Sequence, residues 1–347
     1  MDLLTAAILA QDGMTSGAIY ALLGLALVLV FSVTRIIFLP QGEFVAFGAL
    51  TFATLQAGQL PLTAWLMLGL GVLTFGAEAL AGMRRSGRHS LLQLPLAACK
   101  YVVFPCVVLA LAQRAAAHGW PLVPQAALTL AIVVPMGPML YRLVYKPMEN
   151  ASVLVLLIAS VALHFVLVGL GLAMFGAEGF RTPAALDLEL SIGGVSVSGQ
   201  SLLVVATALL LIGALYLYFE RSLSGKALRA TAVNGLGARL MGISTSGAGK
   251  LAMTLAVGIG TLCGILIVPL TTIYYDSGFL IGLKGFVAAI FGGLASYPLA
   301  AGGALLVGLL ESYSSFSASA FKEVIVFTLI IPVLMWRSLL SPHAGDE

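Results

Sequence analysis

"SVLVLLIASVALHFVLVGLGLAMF", residues 152–175, decides the fold class. A helix needs about 20 apolar residues to cross the ~30 Å hydrocarbon core of a bilayer, and this run supplies them. Its apolar residues are continuous rather than alternating, so it reads as a helix and not as a barrel strand. Further runs of this kind lie near 14–34, 62–82, 98–117, 122–145, 200–219, 251–273 and 323–340. Of the 347 residues, 60% are hydrophobic and 9% charged, against about 25% charged in a soluble domain. In water such a chain would expose large apolar patches and aggregate. The expected fold is all-α: one polytopic transmembrane domain over 1–347 with about 8–10 membrane segments, its surroundings membrane lipid.

Two apolar runs are irregular. In "TRIIFLPQGEFVAFGAL" (34–50), Pro40 and Gly42 interrupt the run and Glu43 opens the next helix. The run 283–311 is broken at "GGLASYP" (292–298) by Gly292, Gly293 and Pro298, residues that end or kink helices. Its first limb, 283–291, is predicted to be too short to cross, at about 14 Å. One broken segment in each half points to a translocation path at mid-membrane, where irregular backbone is tolerated only against protein or water. The expected pathway residues are Pro40, Gly42, Glu43, Lys284, Gly292, Gly293 and Pro298.

The basic residues set orientation. Arg84, Arg85, Arg88 and Lys100 lie in one loop, and Arg221, Lys226, Arg229, Arg239 and Lys250 in another; neither loop has an acid. Arg142, Lys146 and Arg337 fall at other helix ends. Alternation puts all of them on one side, the cytoplasm. Residues 176–199, with Glu178, Asp187 and Glu189, then face out, and "LELSIGGVSVSG" within them reads as a small β-hairpin around Gly-Gly. The first apolar run has no basic n-region and is not expected to be a cleaved signal.

The polar residues inside the runs allow two readings each. Glu43 is either a carboxylate favoured by a helix N-terminus near the cytoplasmic face or a gate residue. Lys284 either snorkels to the outer interface or lines the path. His164 is expected to be a packed contact rather than a proton relay, Asp276 to lie in an outer loop, and Glu311 at the surface. Cys99, Cys106 and Cys263 lack zinc or redox spacing and are expected to be buried. Net charge is +3, which gives no reason to invoke nucleic acid. No nucleophile–base or metal set is present, so no enzyme is expected. "GISTSGAGKLAM" (242–253) only imitates a phosphate loop. Ser244 stands where the first glycine belongs, and Leu251 where the magnesium-binding hydroxyl belongs.

"RATAVNGLGARLMGI" (229–243) is different: short, basic and polar enough to be wet. Ala232, Leu236, Leu240 and Ile243 fall at spacings that predict one narrow apolar stripe on a short helix, ending at Gly242. Such a stripe fits as a knob in a groove of another protein.

The blocks "LSGKALRATAVNGLGARLMGI", "GFLIGLKGFVAAIFGGLASYPLAAGGALLVGLLE" and "TRIIFLPQGEFVAFGAL" resemble the permease subunits of branched-chain amino-acid ABC importers, LivH type. That resemblance implies that 221–250 is a cytoplasmic coupling loop docking into an ATPase, with Ala232, Asn234, Ala238, Arg239, Leu240 and Gly242 as its contact region. It implies two cytoplasmic ABC ATPase subunits that bind ATP and magnesium, while this chain binds no cofactor. It implies an external solute-binding protein and a second permease subunit, either LivM-like or a second copy, in a bacterial plasma membrane. Two features depart from the family. Phe38, Leu39 and Pro40 stand where Asn-Phe-Ala is usual, and 83–121 carries an inserted span after the basic "GMRRSGRHS" linker. An ion-coupled secondary transporter or a channel for a small solute is the alternative.

Overall fold

The computed structural model describes residues 2–84, 95–192 and 195–340. Arg85, Arg88 and the Gly193-Gly194 step lie outside the described residues, as does the side chain of Arg337. The helices are α1 (Leu3–Thr34), α2 (Gln41–Gln56), α3 (Thr63–Arg84), α4 (Pro95–His118), α5 (Leu122–Met148) and α6 (Val153–Phe175). After strands β1 (Glu189–Ile192) and β2 (Val195–Ser198) come α7 (Gly199–Arg221), α8 (Leu223–Val233), α9 (Gly235–Leu240), α10 (Thr245–Ile267), α11 (Ser277–Phe291), α12 (Tyr297–Ser317) and α13 (Ser319–Trp336). Among the described residues, nine helices are long and apolar enough to cross a membrane: all but α2, α8, α9 and α11. The chain is an all-α polytopic bundle with one two-stranded sheet.

The core is built around α1, α2 and α10. Helix α2 is buried on every face from Gln41 to Leu55. It is mostly apolar on every side, as a helix enclosed by other helices must be, with Gln41, Glu43, Thr51 and Thr54 the buried polar exceptions. Helix α1 packs on α12 through small residues: Gly13 and Gly17 meet Leu309 and Leu305, and Gly308 lies against Gly17. With no hydrophobic drive between helices in lipid, such close backbone approach is what holds them. Glu78 of α3 pairs with Arg142 of α5 (3.4 Å) and Lys250 of α10 (3.8 Å). The basic ends of these three helices therefore gather at one end of the bundle.

The hairpin forms as the sequence predicts, with Glu189 opposite Ser198 and Leu190 opposite Val197. Ser198 then caps α7 by accepting from the Ser201 N–H at 3.2 Å. Three boundaries differ. Helix α1 starts at Leu3 and carries Gln11, Asp12 and Gly13 within it, with Asp12 exposed about two and a half turns from its start. Helix α10 stops at Ile267, and the chain turns so that Ile273 and Phe180 exchange two 2.9 Å backbone hydrogen bonds. Helix α11 begins at Ser277, six residues before the expected limb, and is about 22 Å long at 1.5 Å per residue. The span at 98–117 is present, as α4. Cys99 and Cys106 on it are exposed, against expectation, while Cys263 is buried. A thiol is apolar enough to face lipid as readily as a core.

Candidate functional site

The first break is built at Arg35, whose left-handed backbone (φ 59°) ends α1. The chain doubles back, and Pro40 sits just before α2 with φ −64°, where its missing N–H leaves no helix bond unmade. Gln41 Nε2 donates to the Ala256 carbonyl at 2.8 Å. His164 Nδ1 lies 3.0 Å from Glu43 Oε1, and the His164 ring packs on Phe279 at 4.8 Å. Ala256 and His164 are the central residues of α10 and α6. The first turn of α2 is thus at mid-depth, not near the cytoplasmic face, and Glu43 is fully enclosed there.

From this level α2 runs beside α10, with Gly48 on Thr261, out to Leu55, whose carbonyl accepts from Gln125. Helix α11 starts at the same level, with Gly278 and Gly282 packed on Gly42. It runs the other way, to the Gly292–Ser296 turn. A Cβ built on Gly42 would overlap the Gly278 carbonyl, so the glycine is required by close approach. Two half-helices therefore diverge from one point. Pro40, Gly42 and Glu43 meet there. Gly292, Gly293 and Pro298 do not; they form the far turn, where Gly293 (φ 60°) and Leu294 (φ 57°) reverse the chain and Pro298 opens α12.

Lys284 does not snorkel. It is buried, with its ammonium between Glu311 of α12 and Glu323 of α13 (3.2 Å) and facing the Tyr20 ring of α1 at 5.9 Å. Tyr20 Oη donates to the other oxygen of Glu311. Glu311 is accordingly half-buried in an ion-pair cluster, not a surface acid. A cation in a bilayer needs such partners. Asp276 is exposed immediately ahead of α11, two residues from Gly278, so it stands near the level of the Gly42 contact and not in an outer loop as expected.

The wet segment is two helices, not one. Asn234 is extended (φ −151°, ψ 97°), and its side-chain oxygen accepts from the Gly237 N–H at 2.8 Å, capping α9. The stripe counted from Ala232 to Leu236 is broken there, because an N-cap residue leaves helical geometry. Leu236 and Leu240 remain exposed on α9, joined by Val233 and Met241. Leu240 is 82% exposed and Val233 87%. Ala238 is buried, so its side chain faces the protein rather than a partner. The end of α9 is a Schellman turn: the Ile243 N–H bonds to Ala238 O (2.9 Å) and the Gly242 N–H to Arg239 O (3.0 Å), with Gly242 at φ 80°. Arg239 Nε donates to Thr245 Oγ1 at 2.9 Å, tying the segment to α10.

The family described as "Branched-chain amino acid transport system / permease component" matches residues 9–334. This chain belongs to that permease family. Among its relatives, the high-affinity branched-chain amino acid transport system permease protein BraD of Pseudomonas aeruginosa is 28% identical over 226 residues, covering 62% of this chain and 74% of that one. LivH of Escherichia coli K12 is 28% identical over 244 residues, 68% of this chain and 79% of its own. LivH of Salmonella typhimurium is 23% identical over 334 residues, 93% and 91%. No solved structure matches the chain.

Within this permease the departure at Phe38 has a structural reason. Phe38 is buried, its ring 5.9 Å from Phe44 and 6.1 Å from Tyr145, so it extends an aromatic cluster under the break. Sequence reasoning missed the partners of the buried charges and two residues of the exposed apolar surface. Glu43 and His164 are 121 residues apart, and no local spacing announces such a pair. Val233 and Met241 flank the stripe that was counted. The extended conformation of Asn234 was signalled by its residue type, a preferred N-cap.

Proposed function

We propose that this chain is the membrane-spanning subunit of a binding-protein-dependent ABC importer for branched-chain amino acids or related small aliphatic solutes. The observation that carries the reading is the α8–α9 segment. It presents Val233, Leu236, Leu240 and Met241 to solvent at the basic end of a bundle whose remaining apolar surface belongs in lipid. Four exposed apolar side chains on a capped, tethered helix pair suit insertion into a groove of a cytoplasmic ATPase. In this reading Asn234, Arg239 and Gly242 shape the segment, Ala232 and Leu240 lie at its contact, and Ala238 anchors it from within. Coupling is then a property of residues 221–250.

Two ATPase subunits hold ATP and magnesium; this chain performs no bond chemistry. A second permease subunit, LivM-like or another copy, completes the pore. The basic end faces the cytoplasm of a bacterium, and the hairpin end receives solute from an external binding protein. Movement of α8–α9 reaches the half-helices α2 and α11 through α10, which packs on the coupling segment at one end and on Gln41 at its middle. Family membership supports the substrate class. The test is ATP-driven uptake of radiolabelled leucine in vesicles holding the complete importer. Leu240→Glu is expected to abolish uptake while the permease remains inserted in normal amount. Uptake that persists without any ATPase defeats the proposal.

A further inference from the structure

A cavity of about 740 Å³ near the basic end lies between α1, α7, α8 and the Gly292–Ser296 turn. Along α1 it extends from Leu25 to Arg35. That is about 15 Å at 1.5 Å per residue, or half of the ~30 Å hydrocarbon core, the depth of one leaflet. Leu25, Leu29, Ile212 and Leu215 make its deep wall apolar. At its basic end stand two guanidinium groups, Arg35 and Arg229. Arg229 is paired with Glu220 at 2.8 Å. Arg35 is exposed and packs over the Phe31 ring at 5.8 Å; it makes no salt bridge among the described residues.

Two further features mark the place. Arg35 (φ 59°) and Leu294 (φ 57°) are the described non-glycine residues with positive φ, and both line this cavity. Strained backbone of that kind persists where surrounding structure over-determines it, and it clusters at ligand clamps and switch regions. The cavity also borders Ala232 and Val233 on α8, at the start of the segment that carries the exposed apolar knob.

We infer that this cavity is a binding site for an anionic phospholipid of the leaflet on the basic side. One acyl chain lies along Leu29, Leu215 and Leu25, and the phosphate is held at the rim by Arg35. The match is of length and polarity together: one leaflet of apolar wall, then an unpaired cation at headgroup level. An aliphatic amino acid could pair its carboxylate with Arg35 but would leave most of the 740 Å³ and the apolar wall of about 15 Å unfilled, and a soluble peptide has no use for so long an apolar wall. The bound lipid would wedge the Gly292–Ser296 turn apart from α8, so it bears on the mobility of the coupling segment. The inference rests on the membrane reading of the chain but on neither the solute nor the ATPase.

The test uses the full permease complex in detergent, depleted of lipid and titrated with phosphatidylglycerol or phosphatidylcholine, with bound lipid counted by native mass spectrometry. Phosphatidylglycerol is expected to bind in preference. Arg35→Asn, which tolerates the left-handed backbone, is expected to weaken it roughly fivefold, the usual effect of one basic residue near an anionic surface. Leu215→Trp, which fills the apolar wall, is expected to remove the site for both lipids, while Leu209→Trp on the exposed face of α7 leaves it intact. Equal retention of the two lipids, unchanged binding in both cavity variants, or a cross-link from Tyr216 to a second permease subunit that displaces lipid overturns the assignment. Loss of uptake with lipid binding intact bears on the transport proposal alone.

Discussion

Glu43 and His164 hold each other at the centre of the bundle, and the value of each depends on the other being present. Breaking such a pair leaves a buried polar or charged group without its partner, at a cost of about 3–5 kcal/mol, whereas replacing both by apolar residues is often close to neutral. His164→Leu is therefore expected to lower the melting temperature of the detergent-solubilised protein markedly. Glu43→Leu in the same chain is expected to restore most of the loss. Additive losses in the double variant would show that the two residues do not interact. Lys284 follows the same rule with two acids around it. Lys284→Met is expected to destabilise more than Glu323→Gln in the same melt, because it takes the buried cation from two acids and leaves Glu311 only the Tyr20 hydroxyl and Glu323 only the distant Lys322. These residues show where sequence reading stops. The presence of a charge within an apolar run was legible at Glu43 and Lys284, but its partners lay more than a helix away in the chain. The snorkelling reading of Lys284 failed because nothing local reveals that Glu311 and Glu323 converge on it.

The half-helices and the coupling pair test different links of the argument. Gly42→Ala and Gly278→Ala each place a methyl group into the facing backbone at the α2–α11 crossing. Either is expected to reduce folded yield severely, as overpacking of a rigid core does. Gly302→Ala, in α12 with open space around it, is the control and is expected to be neutral. On the coupling pair, Asn234→Ala removes the cap of α9 and is expected to cost about 1 kcal/mol, with Asn234→Asp retaining most of it; local amide exchange at Leu236–Leu240 reads the difference. Element existence was largely legible, since length and apolarity identify a spanning helix without knowledge of its neighbours. The breaks at Pro40 and Gly292-Gly293 were legible too, from residues that stop helices. The early start of α11 was not. Nothing in "YYDSGFLIG" separates a loop from a buried helix start until the Gly42 surface against which Gly278 packs is known.

Across the whole molecule, the gathering of basic ends around Glu78 makes sidedness a measurable property. A single cysteine at Glu189 is expected to react with a membrane-impermeant maleimide in intact cells, and one at Ser246 only after permeabilisation, both in a chain freed of its native thiols. The reverse pattern would place the coupling segment outside and end the transport reading. Overall architecture was readable from hydropathy because a bilayer leaves the backbone so few options; the interior arrangement was not, because lipid-facing and core-facing residues are equally greasy. One consequence concerns leakage. Helices α2 and α11 both present their N-terminal ends at mid-depth, so the positive poles of two peptide dipoles meet in the least polarisable part of the barrier. Two acids stand against those poles: Glu43 in the first turn of α2, one oxygen 3.0 Å from His164 and the other without a hydrogen-bond partner, and Asp276 just ahead of α11. What seals the junction is therefore packing and not charge: the backbones of Gly42, Gly278 and Gly282 lie against one another with no room for a methyl group, let alone a hydrated ion.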